Sequence, residues 1–282
     1  MEYSPQLAAE IERNVLAALA EDIGSGDLTA LLTPASRRSQ GTVITRENAI
    51  LAGREWFDAC FRRLDPAAKI RWAVNDGQHI AAGQTLCQID ANTRALLTAE
   101  RAALNFLQLL SATATTTRQY VDAIAGTRAV IVDTRKTIPG LRLAQKYAVA
   151  CGGGENHRLG LYDGILIKEN HIIAAGGVVP ALQRARAIAH DEVFIQIEVE
   201  TLGQLQEALN AEARMILLDN MGLEQMREAV ALTAGRAKLE ASGGVNLKTV
   251  RSIAETGVDR ISIGSLTKDI RAIDLSLRHS EG

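Results

Sequence analysis

The chain has 282 residues, of which 47% are hydrophobic, and a formal net charge of −2. This length and apolar content support a sizeable core and one large or two ordinary domains, and the near-neutral charge gives no general attraction to nucleic acid or to an anionic membrane. No apolar run approaches the ~20 residues of a membrane-spanning helix, and the acidic amphipathic N-terminus lacks the features of an export signal. We therefore expect a cytoplasmic protein in which Cys60, Cys87 and Cys151, which have no metal-ligand spacing, are free thiols.

The first part of the chain predicts a helix, then strands, then a second helix. Apolar residues recur at helical spacing over residues 5–21. Between Gly41 and Asp90, β-rich runs are separated by the turn sequences Asn75-Asp76-Gly77 and Ala82-Gly83, which predicts short strands and hairpins. The segment from Thr93 to Ala125 is rich in alanine, leucine and threonine and predicts a long helix.

From Gly126 onward, short apolar runs alternate with helical stretches. Each run ends in a polar residue or a glycine, and these ends are Asp133, Lys168, Glu198, Asp219, Ser242 and Gly264. The alternation predicts βα units with a parallel sheet, and the runs are too continuously apolar for half-exposed antiparallel strands. Six units of similar size favour a barrel. Because barrels carry their functional groups at the carboxyl ends of the strands, we expect these ends to meet at one mouth.

Cationic side chains cluster near the predicted strand ends, and they are Arg135, Lys136, His157, Arg158 and Lys168. Arginine offers a planar donor fork that matches a carboxylate or a phosphate, and lysine offers a point charge. A single arginine in a loop is more often a solvated surface group, so the prediction of an anion-binding pocket rests on the five cationic residues together. Lys168 directly follows the apolar run GILI and should face the mouth. The cluster therefore predicts an anion-selective pocket.

Two glycine-containing segments follow neighbouring predicted strands, Ser242-Gly243-Gly244 and Ile263-Gly264-Ser265. Glycine lets backbone N–H groups approach an anion closely, and the N-terminus of a following helix would add positive potential. Paired glycine loops after the last strands of a barrel are a recurring phosphate site. These segments predict phosphate binding.

Two carboxylates end neighbouring predicted strands. Glu198 and Asp219 could serve as acid and base, hold Mg²⁺, directly or through water, or accept hydrogen bonds from sugar hydroxyls. The alternative is an ion pair of either one with Lys168 or Arg158. Glu200 faces the same way as Glu198, so the sequence does not decide which of these two glutamates enters the site.

Several motifs together resemble the quinolinate phosphoribosyltransferases, the carboxylating nicotinate-nucleotide pyrophosphorylases. They are ERAALNFLQ, DTRKTIPGLR, KYAVACGGGENHRLGLYDGILIKENHI, IEVE, LLDN and RISIG, and the resemblance extends from EDIGSGDLTA to LTKDI. It implies transfer of a phosphoribosyl group from 5-phosphoribosyl 1-diphosphate to quinolinate, with Mg²⁺ required. Nicotinate mononucleotide, carbon dioxide and diphosphate would be released, on the way to NAD.

The resemblance also implies a fold and an assembly. The fold is an N-terminal α/β sandwich-like domain over residues 1–112, followed over residues 113–282 by an incomplete parallel α/β barrel whose C-terminal end returns to the first domain. The assembly is a homodimer with shared active sites, in which Arg101 reaches the site of the partner subunit.

The residues that the resemblance implies for the site coincide with those that the strand ends single out. The quinolinate pocket comprises Thr134, Arg135, Lys136, His157, Arg158 and Lys168. The phosphoribosyl side comprises Glu198, Asp219, Ser242, Gly243, Gly244, Ile263, Gly264 and Ser265. Lys168, Glu198 and Asp219 are the predicted catalytic residues, and Glu198 and Asp219 the predicted Mg²⁺ ligands.

Three other functions stay open at this point. A relative of the same fold, such as the molybdenum-transport-associated homologue of uncertain substrate, would share the architecture. A barrel aldolase or isomerase would use Lys168 on a sugar phosphate. A non-catalytic anion sensor would bind through the cations alone and would not need Glu198 and Asp219 beside them.

Overall fold

The computed structural model describes residues 4–190 and 192–280. Its helices are α1 (Pro5–Ile23), α2 (Arg54–Leu64), α3 (Thr93–Ala123), α4 (Arg142–Cys151), α5 (Glu169–Ala175), α6 (Val178–Ile188), α7 (Leu202–Asn210), α8 (Leu223–Thr233), α9 (Val250–Ala254) and α10 (Ser265–Lys268). Its strands are β1 (Arg38–Thr45), β2 (Ala49–Ile50), β3 (Lys69–Trp72), β4 (His79–Ile80), β5 (Thr85–Asn92), β6 (Val130–Val132), β7 (Gly164–Ile167), β8 (Phe194–Val199), β9 (Met215–Asp219), β10 (Lys238–Ser242), β11 (Arg260–Ser262) and β12 (Leu275–Ser280).

The chain forms two compact units, and both are discontinuous in sequence. The first contains residues up to Arg118, residues 137–153 and residues from Thr267 onward, and the second contains residues 119–136 and 154–266. Each unit therefore combines segments that are distant in sequence but packed together. The domain division after residue 112 stays a prediction.

The first unit is built around an antiparallel sheet of strand order β12-β1-β5-β3. Side chains of β1 alternate between exposed and buried, as expected for a sheet with one face on a core. Its hydrophobic core joins apolar residues of α1, α2, α3 and α4 to this sheet, with Trp56, Phe57 and Phe61 among its largest fully buried side chains. The predicted helices over residues 5–21 and 93–125 are confirmed as α1 and α3.

Helix α2 interrupts the region of residues 41–90 in which the sequence predicts short strands and hairpins, and it lies between the two β-rich runs, residues 41–53 and 69–90, that carry the prediction. Trp56, Phe57, Cys60 and Phe61 are all buried on one side of this helix. Their spacing of three and four positions is the helical signal.

The second unit is an α/β structure with a six-stranded parallel sheet of order β6-β11-β10-β9-β8-β7. All six strands predicted from the apolar runs are confirmed. Strands β6 and β7 lie at the two edges of the hydrogen-bonded order, which fits the predicted incomplete barrel. The strands contribute a core that includes Ile131, Ile197, Ile216, Leu239 and Ile261.

None of the helices within residues 4–190 and 192–280 combines the length and apolar character that crossing a bilayer requires.

Candidate active site

A cavity of about 470 Å³ lies in the second unit, at the carboxyl ends of its parallel strands. It is lined by Thr134, Arg135, Lys136, His157, Arg158, Leu166, Lys168, Glu198, Leu217, Asp219, Glu240, Ser242 and Ser262. The structure thus brings together all six residues predicted for the anion pocket, both predicted carboxylates and one residue of the predicted phosphate loops.

The loop after β6 is held in place by a buried carboxylate at its base. Asp133 accepts hydrogen bonds from the backbone N–H of His157 (2.9 Å) and from Asn156 Nδ2 (2.6 Å). This pairing joins the DTRKT loop to the GGGENHR segment, which is distant in sequence. It brings Arg135 and Arg158 to one cavity and explains the polar residue at the end of the β6 run.

Arg158 is a buried cation whose environment favours an anionic ligand. Its Nη1 donates to the carbonyl of Gly164 (3.0 Å). Burial lowers the pKa of Arg158, the nearby Arg135 guanidinium lowers it further, and Asp163 opposes this. Two guanidinium groups that repel each other at one cavity are stabilised when an anion enters. Gly164 leaves the room that this arrangement needs, because a Cβ there would lie 2.6 Å from the Phe194 ring.

His157 lines the cavity, but both of its ring nitrogens are engaged by the protein. Nδ1 accepts the backbone N–H of Arg158 (2.7 Å), and Nε2 lies 2.7 Å from Oε1 of Gln196. The ring also packs edge-on against Phe194, with the ring centroids 5.4 Å apart. The sequence places His157 among the anion-binding groups, whereas its contacts here orient the neighbouring arginine.

The two predicted carboxylates end the adjacent strands β8 and β9. Burial raises the pKa of Glu198, Lys168 lowers it, and Asp219 raises it again. Among the described residues, Glu198 makes no ion pair with Lys168 or Arg158, which removes that alternative for this carboxylate. Glu200 is exposed and does not line the cavity, so Glu198 is the glutamate of the IEVE motif that enters it.

The predicted phosphate loops adopt backbone conformations that favour glycine. Gly243 and Gly244 have φ values of +106° and +60°, and a Cβ at Gly243 would lie 2.1 Å from Asn220 Oδ1. Ser242 lines the cavity, whereas Gly243, Gly244, Ile263, Gly264 and Ser265 do not. The helix that follows the SGG segment, α9, begins at Val250. Helix α10 does begin at Ser265, but it has only 4 residues.

Arg101 belongs to the first unit. It is on an exposed position of α3 and lines a groove formed with residues of α1 and of the 139–141 segment. It is not among the residues that line the cavity of the second unit.

The sequence analysis missed several polar residues in and beneath the cavity, namely Asp133 as an organising carboxylate, Gln196, Glu240 and Ser262. Gln196 and Glu240 are buried within otherwise apolar strands, two positions before Glu198 and Ser242 respectively. Side chains two positions apart in a strand point to the same face of the sheet. Their spacing from Glu198 and Ser242 was therefore the sequence signal that could have identified Gln196 and Glu240.

A parallel α/β barrel that gathers cations, two carboxylates and glycine loops at its strand ends belongs to the class of enzymes that bind and transform small phosphorylated anions. Family-level comparison narrows the class. The quinolinate phosphoribosyl transferase C-terminal domain matches residues 113–278, and the N-terminal domain of the same family matches residues 27–111. The chain therefore belongs to the quinolinate phosphoribosyl transferase family.

Individual relatives agree with this assignment. A nicotinate-nucleotide pyrophosphorylase (carboxylating) of Mycobacterium leprae is 43% identical over 270 residues, covering 92% of this chain and 94% of the relative. The chloroplastic protein of that name from Oryza sativa is 39% identical over 281 residues, covering 93% and 75%. The solved structure of the nicotinate-nucleotide pyrophosphorylase from Francisella tularensis superposes with a TM-score of 0.93 at 44% identity, covering 96% of each chain.

Proposed function

We propose that this protein transfers the phosphoribosyl group of 5-phosphoribosyl 1-diphosphate to quinolinate, with loss of carbon dioxide. The products are nicotinate mononucleotide and diphosphate, as in de novo NAD biosynthesis. The observation that carries the proposal is the single cavity in which four Arg and Lys side chains face two carboxylates. Membership in the quinolinate phosphoribosyl transferase family supports the choice of substrate.

The cations suit a pyridine that carries two adjacent carboxylates. Arg135 and Arg158 offer donor forks for carboxylate oxygens, and Lys168 adds a charge at the end of β7. Thr134 and Lys136 belong to the same loop as Arg135. In this proposal His157 contributes by fixing Arg158, because its ring nitrogens are already bonded.

The phosphoribosyl group is assigned to the other half of the cavity. Ser242, with the glycine backbones of Gly243 and Gly244, would bind phosphate oxygens, and the Ile263–Ser265 segment would do so after the next strand. Ser265 Oγ is buried and has no hydrogen-bond partner in the described part of the chain, so it has a donor to offer. Lys136 lines the cavity, and its side chain lies over Gly264.

The chemistry follows from the charges. The bond between C1 of the ribose and the diphosphate oxygen breaks, positive charge develops at C1, and the ring nitrogen of quinolinate forms the new bond. Glu198 and Asp219 stabilise that charge or orient the ribose hydroxyls. The resulting pyridinium favours loss of the 2-carboxylate, because the electron pair left on C2 lies beside N⁺, and C2 then takes a proton from solvent. The protein mainly positions and encloses the reactants, and no covalent nucleophile is required.

Mg²⁺ is the expected cofactor, and Glu198 and Asp219 are the residues that would hold it, directly or through water. Their oxygen atoms suit the ion. Burial is the main cause of the raised pKa of Glu198, and repulsion by Asp219 adds to it; a cation between the two carboxylates would relieve that repulsion. Among residues 4–190 and 192–280 no group of three or more His, Cys, Asp or Glu side chains could hold a metal. The ion would therefore need substrate or water oxygens as well, and when bound it would neutralise the leaving diphosphate.

We further propose a homodimer with shared sites, in which Arg101 serves the cavity of the partner subunit. Arg101 is exposed on α3 and does not line the cavity in the second unit of its own chain. The groove beside it includes the apolar residues Phe106 and Leu109, which a second copy of the chain would cover. A partner subunit would complete a site that lacks this cation.

A cytoplasmic location also remains our proposal. Cys60, Cys87 and Cys151 are all free and buried, as expected of thiols in a reducing compartment. Burial raises the pKa of Cys60 and of Cys151 to about 12, so these groups are poor thiolates and are assigned to packing.

The direct test is product analysis. Purified protein is incubated with quinolinate, 5-phosphoribosyl 1-diphosphate and Mg²⁺, and nicotinate mononucleotide and carbon dioxide are measured together. Equal molar amounts of both are expected, and an Arg158→Ala variant should form neither at a comparable rate. Absence of nucleotide from folded wild-type protein would refute the proposal. Covalent trapping of Lys168 by borohydride with a sugar phosphate would instead support the aldolase alternative.

A further inference from the structure

A row of polar side chains runs from His157, at the cavity, through Gln196 and Glu240 to Arg260, and no step of the proposed chemistry uses the last three. His157 Nε2 lies 2.7 Å from Gln196 Oε1, and Gln196 Nε2 donates to Glu240 Oε2 (3.2 Å). Arg260 Nε donates to the same Glu240 oxygen (3.2 Å). Gln196 and Glu240 are 0% and 1% exposed, so water does not compete for these groups.

The carboxylate end of the row dictates the direction of every hydrogen bond in it. An ionised Glu240 paired with Arg260 can only accept, so Gln196 must turn its NH₂ group toward it. The amide oxygen of Gln196 then faces His157 and can only accept. His157 must therefore carry its proton on Nε2, which leaves Nδ1 as an acceptor.

The opposite end of the row requires the same direction independently. The backbone N–H of Arg158 can only donate, and its partner is His157 Nδ1 at 2.7 Å. A lone pair on Nδ1 again puts the proton on Nε2. Glu240 Oε1, which has no hydrogen-bond partner in the described residues, lies 3.8 Å from Nε2 and adds a negative charge on that side. The groups at the two ends thus favour the same donor-to-acceptor direction for all hydrogen bonds of the row, and this direction is called its polarity below.

We propose that Glu240 and Gln196 are positioning residues that lock His157 as the neutral Nε2–H tautomer and, through Nδ1, fix the backbone that carries Arg158. This inference rests on the proposed function for its consequence, which is that the Arg158 guanidinium is held ready for a substrate carboxylate. Positioning of this kind lowers the entropy lost on binding. The direction of these hydrogen bonds does not depend on bound substrate, so it can be measured on the free protein.

The first measurement is therefore made without substrate. Long-range ¹H–¹⁵N correlation NMR of the free wild-type protein distinguishes the tautomers of His157 by the shifts of its two ring nitrogens. We expect Nε2 protonated and Nδ1 unprotonated. A Nδ1–H tautomer or an imidazolium at neutral pH would overturn the proposal, whatever the protein catalyses.

The second measurement uses Glu240→Gln, with Glu155→Gln as its matched control. A glutamine at 240 can donate as well as accept, so Gln196 can reverse and His157 can take the other tautomer. Glu155 contacts the same arginine, with Arg260 Nη1 at 3.0 Å, but it is 54% exposed and outside the row. With only the Arg158 N–H left to select the tautomer, we expect Glu240→Gln to show the Nδ1–H form of His157 beside the Nε2–H form, and a KM for quinolinate raised about tenfold, equivalent to about 1.4 kcal/mol.

The remaining outcomes separate positioning from general damage. In Glu240→Gln the KM for 5-phosphoribosyl 1-diphosphate and the melting temperature should change little, and Glu155→Gln should match wild type in both tautomer and KM. A raised KM with an unchanged tautomer, or a changed tautomer with an unchanged KM, contradicts the proposed link. If Glu240→Gln does not fold, the wild-type spectrum still decides the polarity. An inactive wild-type enzyme with the expected tautomer would refute the proposed function and leave the polarity intact.

Discussion

The side chain of Lys136 lies directly over Gly264, so that a Cβ at position 264 would come within 2.8 Å of Lys136 Cδ. The two residues follow β6 and β11, which pair in parallel. The close approach joins the loop that carries the predicted quinolinate cations to the loop predicted to bind phosphate. Gly264 is therefore expected to matter through the lysine that it accommodates.

Gly264→Ala should weaken binding of 5-phosphoribosyl 1-diphosphate and leave the fold intact. The added methyl group must displace the flexible lysine stem, which costs little stability but moves the charge. We expect the KM for this substrate to rise about tenfold, with the melting temperature nearly unchanged. Gly203→Ala is the matched control, because its Cβ would meet nothing closer than 3.8 Å. Equal KM values for both variants would refute the inference that the position of the Lys136 charge over Gly264 affects binding of this substrate.

Glu198→Gln and Asp219→Asn should reduce turnover more than they weaken quinolinate binding. Both carboxylates face the position where positive charge is proposed to develop, so they act mainly in the transition state. Single-turnover kinetics beside a binding titration separates the two effects. Parallel losses in rate and affinity would indicate that these residues bind substrate or maintain the structure instead.

Arg101→Ala and Lys168→Ala should each be nearly inactive alone and regain activity when mixed. In a dimer with shared sites, a mixed pair has one site bearing both changes and one bearing neither. Random subunit exchange at equal mixing then gives a ceiling of about a quarter of full activity. The controls are each variant incubated alone under the same exchange conditions. Demonstrated exchange without recovery would show that Arg101 acts only within its own chain.

Asp58 gives the stability of the first unit a specific pH dependence. Burial raises the pKa of this carboxyl to about 6, against the opposing hydrogen bond from Trp72 and the charge of Arg62. A pKa above the unfolded value of about 4 means that the folded state binds the proton more tightly. Its contribution is therefore present below pH 4 and is lost as pH rises through about 6.

The variant Asp58→Asn isolates this contribution from other titrating groups. Denaturant unfolding of both proteins is compared between pH 4.5 and 7.5. The stability of wild type relative to Asp58→Asn should fall by on the order of 2 kcal/mol over this range. A difference independent of pH would show that Asp58 ionises normally.

The sequence predicts the second unit well because its strands are short apolar runs with a polar residue at the end. Those ends became the rim of the cavity, as at Lys168 and Asp219. It fails at α2, where helical spacing and aromatic composition point in opposite directions. Only the packing of the first unit decides between them.

The orientation of site residues is the part that the sequence cannot provide. His157 looks like an anion-binding cation, yet its ring bonds Gln196 and the backbone of Arg158. Gln196 and Glu240 lie on β8 and β10, with β9 between them in the sheet, and their function becomes apparent only when the fold brings the two side chains within hydrogen-bond distance. The function of these three side chains thus depends on their hydrogen-bond partners in the folded protein, which residue type alone does not predict.

The central claim, that the cavity recognises a pyridine with two carboxylates and releases one of them, is tested most directly by the ratio of kcat/KM for quinolinate to that for nicotinate. Loss of one charged contact leaves a buried cation unpaired at a cost of about 2 to 5 kcal/mol. We predict that quinolinate is favoured by at least the ~30-fold that the lower figure represents. Comparable kcat/KM values for the two acids would contradict the account.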